Sequence, residues 1–246
     1  MKHDHPRETG RLWVPQGPED SPTTQSLKDC LLRCELLQAQ VLTAQAALAA
    51  VHQELEGTRA GERRAHHLAM HDGLTHLPNQ RHFMARLTQV LSAWDAPSPK
   101  DTSDIPAPCV VFLDLDGFKN VNDQHGHAAG DSLLKAVASR LLAAVRAGDV
   151  VARVGGDEFA CLLEGTQTDQ QLALLAHKIH DKLASPVTLP LTGGGWVKLR
   201  VAPSIGLARC PQDGTSPTAL LAAADRAMYQ AKRERSQVAF ASALRD

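Results

Sequence analysis

Net charge is almost absent from this sequence: 26 Lys and Arg stand against 27 Asp and Glu, leaving a formal -1 at pH 7. A chain so balanced has no whole-molecule attraction for nucleic acid or anionic lipid, so neither is expected as a partner. Any phosphate chemistry must come from charge gathered locally. No apolar run is expected to reach transmembrane length, because the richest stretch, Leu36 to Val51, is broken by Gln38, Gln40, Thr43 and Gln45. The first residues carry Asp4, Glu8 and several prolines and lack the apolar core of a secretory signal. Five cysteines include no CxxC pair, which disfavours a disulfide framework and points to a reducing, cytoplasmic setting. The histidines of the stretch His71 to His82 are irregularly spaced and form no HExxH, so a surface or packing role is expected for them rather than a metal cluster. No internal repeat is present.

The hydrophobic fraction, 43% of 246 residues, is ample for a core. Residues 1–25, with Pro6, Pro15, Pro18 and Pro22, read as a disordered lead, or as a docking tail if Leu12-Trp13-Val14 has a partner. Residues 26–70 contain no proline and repeat every seven positions. Leu27, Cys34, Val41, Leu48 and Leu55 hold one seam position, and Cys30, Leu37, Ala44 and Val51 the other. This predicts a helical stalk, either self-associating as a coiled coil or packed on its own domain. Cys30 and Cys34 read as small seam residues, since no further ligand completes a tetrahedral set nearby. Residues 71–246 form the third region.

Within it, Cys109-Val110-Val111-Phe112-Leu113 is a continuous apolar run, as expected of a central strand buried on both faces, and it ends in Asp114-Leu115-Asp116. Carboxylates at the end of a buried strand are costly unless they meet solvent or a cation. Two further acids leave the turn Gly155-Gly156-Asp157-Glu158-Phe159, set between β-like runs 150–154 and 159–163. Glycine tolerates positive φ, so Gly155 and Gly156 are expected to form a tight hairpin that brings backbone close to a ligand. Between strand and hairpin, residues 117–131 are dense in Asn, His, Asp and Gly, and Asp131 is expected to cap the following helix. An ionised Asp can accept from both N1–H and N2–H of guanine, a donor pair adenine lacks. Further on, Leu172–Leu183 reads as a helix and 187–189 with 196–201 as two strands, continued at the sheet edge by 204–208. A helix over 220–235 and a strand over 238–240 close the chain. Four gathered acids suit a divalent cation such as Mg²⁺, and Lys119 and Lys232 can offset phosphate charge. The residues by themselves therefore indicate a nucleotide-phosphate enzyme.

These segments together resemble the GGDEF family, the diguanylate cyclases, over about residues 70–241. The resemblance lies in Asp72-Gly73-Leu74-Thr75 through Asn79, Phe112 to Lys119, Asn122-Asp123 with Gly126-His127 and Gly130-Asp131, Gly155 to Phe159, and Ala224-Asp225 with Tyr229 and Lys232. It implies an α/β (α+β) palm fold like that of nucleotide cyclases, a five-stranded mixed sheet surrounded by helices, here preceded by the long coiled-coil helix. It implies condensation of two GTP into cyclic di-GMP with release of pyrophosphate, dependent on Mg²⁺ or Mn²⁺. Asp114, the Leu115 carbonyl, Asp157 and Glu158 would bind metal. Asp157 and Glu158 would also assist deprotonation of the 3′-hydroxyl, with Lys119 at the phosphate. Asn122, His127, Asp131, Gly155, Gly156 and Lys232 would bind substrate. Because one domain holds one GTP, a homodimer joined by the N-terminal helix is implied. Arg146 and Asp149 match the family's inhibitory RxxD site for cyclic di-GMP, with Lys178 as a secondary contact. A weak or inactive domain serving as a cyclic di-GMP receptor is the competing reading. No sensor domain is evident, so a small regulatory protein acting on the tail or stalk is expected. Three departures stand out: His76 replaces a usual Gly, Gln80 a usual Arg, and Arg235-Ser236-Gln237 the usual Gly-Arg-Asn, with Arg235 the candidate to supply the missing phosphate contact.

Overall fold

The computed structural model describes residues 22–94, 107–165, 168–191 and 194–244. The Leu12–Val14 segment and Gly193 lie outside them. The chain divides into two units, residues 1–63 and 64–246.

The first unit is helix α1, Pro22–Met70, which continues into the second. Pro22 occupies the first helical position, where its missing N–H removes no intrahelical bond. The expected seven-residue stripe lies along this helix, and Leu27, Val41, Leu48, Val51 and Leu55 are all exposed in the single chain. One expectation is corrected here. The glutamines lower the hydropathy but carry no charge, and Leu36 to Gln53 is free of Asp, Glu, Lys and Arg. By length and composition alone α1 is therefore long and apolar enough to cross a membrane.

The second unit is a five-stranded mixed sheet. In chain order its elements are α2 Gln80–Trp94, β1 Cys109–Leu115, α3 Phe118–His125, α4 His127–Leu142, β2 Val150–Arg153, β3 Glu158–Leu163, α5 Asp169–Ala184, β4 Val187–Pro190, β5 Trp196–Leu199, β6 Pro203–Arg209, α6 Pro217–Glu234 and β7 Val238–Phe240. The sheet order is β2-β3-β1-β6-β7, with β1 central and antiparallel to both neighbours and β7 parallel to β6. Side chains of β1 alternate between two cores. Val111, Leu113 and Leu115 face Leu133, Val137 and Ile179 of α4 and α5. Val110 and Phe112 face α2 and α6, against Phe83, Leu87 and an alanine row, Ala223, Ala224 and Ala227. Each large apolar side chain buried this way contributes about 1.5–3 kcal/mol.

Helix α6 approaches the sheet closely because Gly206 lies beneath it. A Cβ there would stand 2.1 Å from the Ala224 carbonyl oxygen and 2.2 Å from the Met228 nitrogen. This contact carries Asp225 and Lys232 to the end of β1.

Two local expectations differ from the structure. Residues 204–208 do not extend the 187–201 hairpin; β6 pairs with β1, and β4–β5 form a separate two-stranded sheet. Nearly all of β6 is buried, which suits an interior strand, whereas β4 and β5 alternate with exposed positions. Asp131 is not a cap either. Gly126 takes φ +80° and breaks α3 from α4, so α4 begins at His127 and Asp131 is an exposed residue inside it.

The histidines at the junction of α1 and α2 do pack. His67 and His71 stack with ring centroids 4.0 Å apart, and His82 meets His71 edge-on at 5.3 Å.

Candidate active site

The register of the central strands builds the site. Asp114 of β1 pairs directly with Glu158 of β3, while on the other side it pairs with Ser204 of β6. The Leu115 N–H donates to the Asp157 carbonyl at 3.3 Å, which ties the hairpin's acids to the end of β1. Like charges opposite one another on a sheet repel, so this register needs a cation nearby. Lys232, delivered by α6, provides one: its Nζ lies 2.5 Å from Asp114 Oδ1 and 3.7 Å from Asp116 Oδ1. Asp116 Oδ2 accepts from the hydroxyl of buried Ser204 at 2.9 Å, while its Oδ1 is buried without a hydrogen bond.

The electrostatics follow from this crowding. Burial, then the charge of Asp114, holds the Asp157 carboxyl above its ordinary pKa. Burial, then the charges of Asp114, Asp157 and Asp225, does the same for Glu158. Desolvation works against the Lys232 ammonium, but its hydrogen bond to Asp114 and the surrounding carboxylates outweigh that and raise its pKa. Glu158 and Asp225 also line a groove of about 370 Å³ with Gln80 and Met84.

The two glycines of the turn serve differently from the expectation. Neither has positive φ. Gly155 is needed for space, since a Cβ there would meet Glu158 Oε2 at 2.2 Å, while a Cβ on Gly156 would meet nothing within 4 Å. Gly156 instead offers its carbonyl to Arg153, whose Nε and Nη2 donate to it at 3.1 and 2.7 Å. The same guanidinium donates through Nη1 to both Asp72 oxygens, at 3.0 and 3.1 Å. Asp72 also accepts from the Thr75 backbone and hydroxyl at 2.8 and 2.6 Å. Burial favours protonation of Asp72, but the bonds from Thr75 and Arg153 outweigh it and lower its pKa.

The other candidate residues separate into two further places. Asn122 of α3 lies against α4 at Gly130, the residue before Asp131; a Cβ on Gly130 would stand 2.0 Å from Asn122 Oδ1. His127 is the exposed first residue of α4. Lys119, in the first turn of α3, is exposed and makes no hydrogen bond or ion pair with the acids among the described residues; Lys232 is the lysine brought to them. Arg146, Asp149 and Lys178 share one groove of about 240 Å³. There Asp149 accepts from the N–H groups of Arg146 and Glu164 at 2.9 and 3.2 Å, and Lys178 donates to the Ala144 carbonyl at 2.9 Å.

The backbone shows what two of the sequence departures cost. His76 and Arg235 are the non-glycine residues with positive φ among the described residues, at 58° and 55°. Both stand where the resemblance leads one to expect glycine, the residue that enters the left-handed region without steric cost. Arg235 ends α6 in that conformation and is exposed, with no contact to the acids among the described residues.

Arg153 and Ser204 were not singled out by sequence, and Asp225 entered only within the segment that carries the resemblance, with no role assigned. A strand arginine two residues before a double glycine was the only available signal for Arg153. Its partner lies 81 positions away.

A mixed five-stranded sheet whose central strand ends in acids beside a Gly-Gly-Asp-Glu turn defines a palm-type α/β domain with an acidic centre. The chain belongs to the GGDEF family: a family model described as "Diguanylate cyclase, GGDEF domain" matches residues 69–237. The diguanylate cyclase TpbB of Pseudomonas aeruginosa is 40% identical over 168 residues, 68% of this chain and 36% of that protein. A TpbB structure containing only the GGDEF domain has a TM-score of 0.61 at 37% identity, covering 70% of this chain and 94% of that one. The coiled coil and GGDEF domain of DgcB from Caulobacter crescentus, in complex with c-di-GMP, has a TM-score of 0.69 at 26% identity, covering 80% and 98%. The chain spans about a fifth to a third of the length of the first curated relatives it matches.

Proposed function

We propose that this chain is a diguanylate cyclase that condenses two GTP into cyclic di-GMP and releases two pyrophosphates. The observation that carries this reading is the pairing of Asp114 with Glu158, which gathers Asp157 and Lys232 at the end of the central strand. The relatives named above support it.

Each GTP would be held with its guanine at Asn122 and Asp131, whose carboxylate accepts from N1–H and N2–H, with His127 in the same segment. Lys119 and Lys232 would offset the phosphate charge, and the Gly155-Gly156 backbone would lie beneath it. In each step the 3′-oxygen of one GTP forms a bond to the α-phosphorus of the other, and the bond from that phosphorus to the bridging oxygen breaks. The hydroxyl proton passes to a carboxylate. Asp157 and Glu158, held beside the end of the central strand, are the carboxylates at hand.

The donor set fits a hard divalent cation. Carboxylates of Asp114 and Asp116 flank Lys232 at the end of the central strand, and Asp116 Oδ1 is buried without a hydrogen bond. Among the described residues no three such side chains stand grouped around one point, so side chains must re-aim to complete a coordination sphere. Asp114, the Leu115 carbonyl, Asp157 and Glu158 would hold Mg²⁺, or Mn²⁺ in its place. When bound, that ion lowers the pKa of the attacking hydroxyl and offsets charge on the α-phosphate.

One domain supplies one half of the centre, so the active species is a homodimer, joined along α1. The heptad stripe supports that join, as does the wider coverage of the DgcB structure that includes its coiled coil. Arg146, Asp149 and Lys178 form the site for product inhibition by cyclic di-GMP, as their shared groove supports. A small regulatory protein acting on the stalk would set the dimer's alignment. The catalytic domain would work in the cytoplasm, without nucleic acid as a partner.

The test is a turnover assay of the full chain with Mg²⁺ and GTP at several protein concentrations. Formation of cyclic di-GMP with two pyrophosphates, specific activity rising with protein concentration, and no product from ATP are expected. Cyclic di-GMP binding by calorimetry without turnover would replace this reading with that of a receptor.

A further inference from the structure

Three of the five cysteines, Cys109, Cys161 and Cys210, are buried, and burial pushes the Cys109 and Cys161 thiols up to about 12. Cys30 and Cys34 differ. Both are exposed on α1, one turn apart on the face that carries the apolar stripe. One chain offers only these two thiols, and among its described residues no three His, Cys, Asp or Glu side chains are grouped for a metal. A second copy changes the count.

We propose that the paired stalks of two chains form a four-thiolate site, Cys30 and Cys34 from each, for a thiophilic divalent cation of the Zn²⁺ class. The inference rests on the dimeric reading of α1. That reading requires both catalytic domains at the same end of the seam, and so a parallel pair of helices in register. In such a pair the two Cys30 face one another in one layer and the two Cys34 in the next, about 6 Å along the axis. Four sulfurs from two adjacent layers converge on one point, flanked by the seam residues Leu27 and Leu37, which keep water away.

The charges on the seam's edges agree with this register. Glu54 and Arg59 fall at the flanking positions that meet between parallel chains, and they attract. Thiolate is a soft ligand that selects Zn²⁺ over the hard cations suited to the carboxylates of the catalytic domain. Binding is balanced by loss of protons, with four thiols becoming four thiolates and no electron transferred. The ion would pin the register of the stalk near its start. Stalk alignment would then respond to availability of the metal.

The experiment uses the full chain, reduced with a phosphine and freed of metal. Co²⁺ serves as the spectroscopic probe, Zn²⁺ as competitor, and light scattering gives the mass. Expected are one Co²⁺ per two chains with the sulfur-to-cobalt charge-transfer band and the intense visible bands of tetrahedral cobalt. These should be lost on adding Zn²⁺ and absent from the Cys30→Ser/Cys34→Ser variant, which remains a dimer. Cobalt at the carboxylates gives no sulfur band, so the two sites are distinguished. A wild-type dimer without that band, or a band that survives in the double variant, overturns the metal site and leaves the seam. A chain that stays monomeric with and without metal overturns seam and site together.

Discussion

Arg153 joins two segments that lie 81 positions apart: through Nη1 it donates to both oxygens of Asp72, and through Nε and Nη2 to the carbonyl of Gly156. Its side chain is only 14% exposed, so these bonds form away from full solvent screening. The turn that carries Asp157 and Glu158 is thereby fastened to the loop that follows α1.

Replacing Arg153 should loosen that turn. Arg153→Ala removes one partner of a mostly buried pair and is expected to cost about 2–4 kcal/mol in denaturant unfolding. Arg153→Lys keeps the charge but cannot span both acceptors, so it should lower turnover at least tenfold with a smaller stability loss. Equal turnover in Arg153→Lys and wild type would show that the turn needs no such fastening.

The two glycines of the turn should respond differently to alanine. At Gly155 a Cβ meets the carboxyl end of the Glu158 side chain, which can swing away, and the Glu158 Cβ at 3.2 Å, which need give only a few tenths of an ångström, so the fold should survive while the carboxylate is displaced. Gly155→Ala is expected to lose at least tenfold in rate with less than about 1 kcal/mol change in stability. Gly156→Ala, with open space at that point, should lose much less. Steady-state rates alongside thermal unfolding check both.

Metal-free protein should show the strain of the acidic centre in its pH dependence. The raised pKa values of Asp157 and Glu158 mean that the folded state binds protons more tightly than the unfolded state there. Their contribution therefore falls as pH rises through the window from the ordinary carboxylate values to the raised folded ones. Asp72 acts oppositely: its lowered pKa gives stability that is present above its ordinary value and lost as pH falls through the folded one. Glu158→Gln should accordingly raise the melting temperature at neutral pH in EDTA while abolishing turnover. A lower melting temperature for Glu158→Gln would contradict the electrostatic account.

His76 and Arg235 hold left-handed backbone at exposed positions, so glycine should relieve each. His76→Gly and Arg235→Gly are each expected to stabilise the fold by about 1 kcal/mol, the steric penalty less glycine's greater entropy loss. Arg235→Gly also tests whether this arginine reaches phosphate. An unchanged KM for GTP assigns it to the helix end alone, and a raised one assigns it to the substrate.

Much of this architecture is legible along the chain because its signals are local. A seven-residue stripe marks α1, an unbroken apolar run marks β1, and acids placed after β1 and after a double glycine mark the centre. Local signals also misled where the backbone chose among options close in sequence. Gly126 broke the helix before Asp131 could cap it, and Gly155 proved necessary for its lack of volume rather than for its φ. The pairings that assemble the centre, Asp114 with Glu158, Lys232 with Asp114 and Arg153 with Asp72, join residues 44, 118 and 81 positions apart. Strand register and the seating of α6 on Gly206 decide them. These are set by how whole faces pack, and composition and spacing carry no record of that.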